Sequence, residues 1–238
     1  MSNRLRGLSV VLPVFCLTAY GDNPGDGRID AMLAAWTGDD VACDVVYTHS
    51  ANDGPIFTES YSLDEGWSLV AVNDAPPTAE ELDVYRSDSS RQSREHRSAP
   101  GFNLSQYIDP ESSTIESEDD ETLTITYAPG SGDEREDLLL RKMGVKMRGR
   151  LTVEKGNLQP LTMTIELTEP ISVAVPPVRI VEYREARSFV VDSATGTLLV
   201  DSFTLLSRGR AFFVRKVGNS VAHQFSYSGC QFVGVRAR

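Results

Sequence analysis

Between residues 145 and 153, Val145, Met147, Gly149, Leu151 and Val153 alternate with Lys146, Arg148, Arg150 and Thr152. A period of two puts every second side chain on one side of a sheet, so this run predicts a strand with one apolar and one cationic face. A second alternating run follows at 161–167, with Leu161, Met163, Ile165 and Leu167 opposite Thr162, Thr164 and Glu166. The turn formers Lys155-Gly156-Asn157 between the two runs predict a hairpin. Further strands are predicted at 41–47, 57–63, 67–72 and 122–127, and then at 178–183, 188–191, 197–206, 211–216 and 221–227. Their connections include Ala194-Thr195-Gly196, Arg208-Gly209 and Gly218-Asn219. Such short links favour antiparallel neighbours over the crossover helices of a parallel sheet.

Helical spacing is confined to a few places. Ile29, Met32, Leu33 and Trp36 predict a short amphipathic helix over 27–36, with Gly38 as its stop. After Pro76-Pro77, the capping-box pattern Thr78-Ala79-Glu80-Glu81 opens a second helix expected to reach about residue 94. Its apolar residues Leu82, Val84 and Tyr85 lie early, and Arg86, Arg91, Arg94 and Arg97 dominate the far end. A third helix is expected after Asp133, Glu134, Glu136 and Asp137, where negative charge suits a helix N-terminus, with Gly144 closing it. Phe102, Leu104, Tyr107 and Ile108 predict a loop docking on the core. These elements predict a mainly β (α+β) fold built on an antiparallel sheet. Residues 22–238 are expected to form one domain.

The first residues depart from this pattern. Arg4 and Arg6 precede an apolar run over 8–19, and Ala19-Tyr20-Gly21 places small residues before a cut at Asp22, so residues 1–21 read as a secretory signal peptide. The run is too short for a permanent membrane helix, and the expected location is periplasmic or extracellular. Bulky Phe15 beside Cys16 argues against a lipid on that cysteine. Removing two arginines and no acid takes the formal charge from −11 to −13, which excludes nucleic acid as a partner because phosphate binding needs a concentrated basic surface. Cys43 and Cys230 would remain, either as a long-range disulfide or as two separate buried thiols.

No catalytic or cofactor signature accompanies these strands. His49, His96 and His223 lack metal-type spacing, no Gly-x-Ser-x-Gly elbow occurs, and Pro24 and Leu33 spoil the only stretch resembling a calcium loop. The acidic cluster at 116–121 reads as a solvated loop. Candidate chemistry therefore reduces to two surfaces and a cysteine pair. Leu82, Tyr85, Leu151, Met163, Ile165, His223 and Phe225 are candidates to line an apolar ligand cavity, with plain core packing as the competing role. Lys146, Arg148 and Arg150 form a candidate cationic stripe on the opposite face of the strand.

The order of a signal peptide, a helix, three strands and a capped helix, followed by a long antiparallel series, resembles the lipoprotein-carrier half-barrel superfamily of the bacterial envelope, the LolA and LolB type. Trp67-Ser68-Leu69-Val70-Ala71-Val72 leading into Ala75-Pro76-Pro77-Thr78 contributes to that likeness. The resemblance implies a curved antiparallel sheet or half-barrel with two or three helices packed on its concave face, and a cavity that holds acyl chains; the cationic stripe would then lie on the convex side. The expected function is accordingly non-enzymatic binding of a lipid or acylated ligand by an exported envelope protein, with no cofactor. The alternative is an envelope scaffold that engages a protein partner through its sheet surface and acidic loops.

Overall fold

The computed structural model describes residues 27–38, 40–62, 64–87, 99–129, 146–173, 178–212 and 215–233. The predicted signal peptide, Cys16, His96, the continuation of the second helix beyond Ser87 and the third helix lie outside them.

One mostly antiparallel, open, curved sheet dominates the described residues. Its strands are β1 (Asp40–Ala51), β2 (Phe57–Ser62), β3 (Gly66–Val72), β4 (Ala99–Pro100), β5 (Thr114–Glu118), β6 (Thr122–Tyr127), β7 (Met147–Glu154), β8 (Pro160–Leu167), β9 (Ile171–Val173), β10 (Val178–Val191), β11 (Leu198–Ala211) and β12 (Arg215–Phe232). The spatial order is β3-β2-β1-β12-β11-β10-β8-β7-β6-β5, with β4 on β1 and β9 on β10. The last strand thus inserts beside the first, between an N-terminal meander and a C-terminal one. The path ends at β3 and β5, so the sheet stays open.

The predicted hairpin forms as β7 and β8, with Leu151 opposite Met163. Downstream, the expected strand at 211–216 is broken by a turn at Phe212, between the end of β11 and the start of β12, and the other strands are longer than the alternation indicates. The segments 178–183 and 188–191 are one strand, β10, running straight through Arg184, Glu185 and Arg187. Neither Arg208-Gly209 nor Gly218-Asn219 is a turn: both lie within paired strands, β11 and β12. Gly209 is there because backbone approaches it closely; a β-carbon would sit 2.5 Å from the Arg179 carbonyl oxygen. The acidic stretch expected as a loop supplies an edge strand instead, β5, whose exposed glutamates meet cations from neighbouring elements.

Helix α1 (Gly27–Ala35) buries Ile29, Met32 and Leu33 against Leu123, Ile125, Tyr127, Leu151, Val153 and Met163. Trp36 extends this contact and donates its indole N–H to the Leu158 carbonyl at 3.0 Å. The expected docking loop packs into the same cluster through Phe102, Leu104 and Ile108, with Leu104 opening a 3-10 turn, Leu104–Gln106. Arg28 of α1 and Lys155 of the β7–β8 turn both reach Glu118, at 3.1 and 2.7 Å, and hold its carboxyl below the usual carboxylate range, Lys155 most strongly. Helix α2 (Ala79–Ser87) begins at the predicted capping box: Glu81 Oε2 accepts from the Thr78 amide at 2.7 Å and Thr78 Oγ1 accepts from the Glu81 amide at 3.3 Å. This helix contributes no buried residue.

A second cluster consists wholly of strand residues. Val41, Cys43, Val45, Tyr47, Tyr61, Leu199 and Cys230 are buried in it, with Trp67, Phe225 and Tyr227 packed against them. Cys43 and Cys230 are bonded, which fastens β1 to β12 across a separation of 187 residues.

Candidate functional site

Register places a continuous row of side chains on the helix-bearing face. Phe57 on β2 opposes His49 on β1, His49 opposes His223 on β12, and His223 opposes Phe203 on β11. Phe203 in turn opposes Arg187 on β10, and Arg187 opposes Met163 on β8. In one direction this row enters the cluster under α1. In the other it crosses a strip of aromatic rings, because a neighbouring row brings Tyr47 opposite Phe225 and Val45 opposite Tyr227.

The rings touch along the strip. Tyr47 stacks on His49 at 4.8 Å and on Phe225 at 4.9 Å, and meets Trp67 edge-on at 6.2 Å. His49 stacks on Phe57 at 5.4 Å, and Phe203 meets His223 edge-on at 5.4 Å. Such offset and edge-on pairs add to the area each ring buries. His49, Phe57, Trp67, Phe203, His223, Phe225 and Tyr227 are all only partly buried. Two polar contacts orient the imidazoles: His49 Nε2 is 3.0 Å from Oε1 of Glu59, a carboxylate only 1% exposed, and the Tyr47 hydroxyl shares a hydrogen bond with His223 Nδ1. No group of three or more metal-ligating side chains gathers among the described residues.

At the junction of strip and core lies a charged pair. Arg187 Nη2 is 2.6 Å from Glu185 Oε1, both side chains being 13% exposed. Glu185 Oε2 accepts from the Tyr183 hydroxyl at 3.0 Å. The guanidinium lies over three rings, Tyr107 at 4.7 Å, Phe203 at 5.3 Å and Phe102 at 5.4 Å, an arrangement that compensates a largely desolvated cation. Beside it, Tyr127 is deeply buried; loss of water pushes its phenol well above the ordinary range, the Arg187 charge opposing that shift and Glu185 reinforcing it. Its ring lies across Gly149, where a β-carbon would collide with it.

The predicted cavity residues divide among three places. Leu151, Met163 and Ile165 are buried in the cluster under α1; His223 and Phe225 belong to the aromatic strip; Leu82 and Tyr85 lie on α2 and belong to neither cluster. The predicted cations lie near carboxylates. Lys146 pairs with Glu169 at 2.8 Å, and Arg150 makes a two-pronged contact with Glu116 at 2.9 and 3.2 Å and sits 3.7 Å from Glu166. The contact with Glu116 raises the Arg150 pKa. Arg148 is exposed and has no ion pair among the described residues. Tyr47, His49, Glu59, Trp67, Glu185, Arg187 and Phe203 are absent from the sequence-derived candidates. The alternation Val41, Cys43, Val45, Tyr47, His49 was the available signal for the first two; Arg187 had none, because its charged neighbours interrupt the apolar pattern.

Comparison of the chain with known protein families, curated proteins and solved structures finds no match.

Proposed function

We propose that this is an exported cell-envelope protein that binds a lipid or another apolar ligand along the aromatic strip, without catalysing a reaction. The observation that carries the reading is the strip itself: contacting, partly buried rings on the helix-bearing face, in a cluster to which no described helix contributes. Partly exposed aromatic surface next to a few oriented polar groups is the usual make-up of a site for apolar ligands. The Cys43–Cys230 bond supports export, since disulfides persist mainly in oxidising compartments. Among the described residues no helix is long and apolar enough to cross a membrane. The half-barrel lipoprotein carriers, which the element order resembles, offer an analogy for such a role. A scaffold role through Lys146, Arg148 and Arg150 draws less support, because Lys146 and Arg150 already face carboxylates.

The chain's two tryptophans allow a direct test. Trp67 lies in the strip and Trp36 in the cluster under α1. In a delipidated W36F variant, titration with long-chain fatty acids, their esters or phospholipids should change Trp67 emission, and native mass spectrometry should show one ligand retained. No uptake of any member of this panel would refute the reading.

A further inference from the structure

The strip ends at the Arg187–Glu185 pair, with Tyr127 within reach of both charges. Arg187 Nη1 and the Tyr127 hydroxyl are buried and have no hydrogen-bond partner among the described residues, and Tyr127 is only 3% exposed. Arg187 Nη2 lies 2.6 Å from Glu185 Oε1, so the carboxylate balances the guanidinium charge through Nη2 while Nη1 keeps an unused donor. Two unused donors beside a neutralised ion pair call for an acceptor, since a buried donor left unpaired is costly.

We infer that Arg187 and Tyr127 bind the carbonyl oxygen of an uncharged acyl ester whose chain lies along the row Phe203, His223, His49 and Phe57, and that Glu185 excludes free carboxylates. This rests on the apolar-ligand reading above and specifies its head group. Charge decides between ester and acid. Glu185 already balances Arg187, so a second carboxylate would bury an uncompensated negative charge, whereas an ester carbonyl accepts the same hydrogen bonds and adds none. Length is compatible with a long-chain acyl group: from β10 to β2 there are four strand intervals, about 19 Å at the usual interstrand spacing. Phe102 and Tyr107 close over the guanidinium from the side of the docking loop, which places the head at the inner end of the strip and the tail toward β2.

The test is a selectivity reversal. Palmitate and its methyl ester, delivered from cyclodextrin, are titrated into W36F protein and into W36F/E185Q, with Trp67 emission as the readout. The E185Q change keeps the shape and a carbonyl for the Tyr183 hydroxyl but leaves Arg187 unbalanced. The first protein should favour the ester by about ten-fold or more, and E185Q should move the ratio toward palmitate by at least as much. A Y127F change, which removes only the hydroxyl, should weaken the ester several-fold in a protein of unaltered circular dichroism. Equal binding of acid and ester with no change of ratio in E185Q would overturn the head-group inference and leave apolar binding standing. Preference of the first protein for palmitate would overturn it too, and failure of both ligands to bind would remove the inference together with the reading beneath it.

Discussion

Single residues determine how closely the strands of this sheet support one another's side chains. Gly149 is an example: in the alternation of β7 it occupies an apolar, inward position, and it is glycine because the Tyr127 ring from β6 lies flat across it. Aromatic cover of a strand glycine restores the burial that a missing side chain forfeits. Replacing Gly149 by Ala forces the ring off β7. Overpacking of this kind costs roughly 1–3 kcal/mol, so G149A should lower the urea midpoint correspondingly, and the Y127A/G149A double variant should show non-additive loss. Glu59 makes the complementary point: a buried carboxylate is sustained on β2 because His49 reaches it from the adjacent strand.

Among the elements, β12 carries the most consequence, since it joins the two meanders by pairing β1 on one side and β11 on the other. The disulfide reinforces the first of these seams. Closing a loop of this length removes chain entropy worth about 5 kcal/mol from the unfolded state, an upper figure where that state retains structure. Reduction, or the C43S/C230S variant, should therefore lower the unfolding midpoint substantially in urea, and thiol titration before and after reduction should release two thiols from these positions. A midpoint unaffected by reduction would show that the seam between β1 and β12 is held by its ladder and ring contacts alone. Helix α1 differs from α2 in the same terms: α1 presents Ile29, Met32 and Leu33 at helical spacing and is buried, whereas the apolar residues of α2 are too few to draw it into either cluster.

For the molecule as a whole, two apolar clusters sit on one continuous sheet and meet at β11, to which Leu198 and Leu199 belong, one in each cluster. Shared strands predict a single cooperative unit. Trp36 reports on one cluster and Trp67 on the other, so the fluorescence midpoints of W67F and W36F should each coincide with the circular-dichroism midpoint of the same variant; two separated transitions would mean two folding units. The division between local and tertiary information follows from the range of the forces involved. Period-two alternation and capping boxes are local, so the β7–β8 hairpin, α1, the start of α2, the docking loop and the antiparallel class were all legible in the chain. Strand ends were less so: in β10, burial of the Glu185–Arg187 pair against rings from other segments replaces the apolar side chains by which a strand is recognised. The bonding of Cys43 to Cys230, the row from Phe57 to Arg187 and the conversion of an acidic stretch into edge strand β5 depend on partners far away in sequence. Only the folded sheet brings those partners within the few ångströms over which hydrogen bonds, ring contacts and charge pairs act.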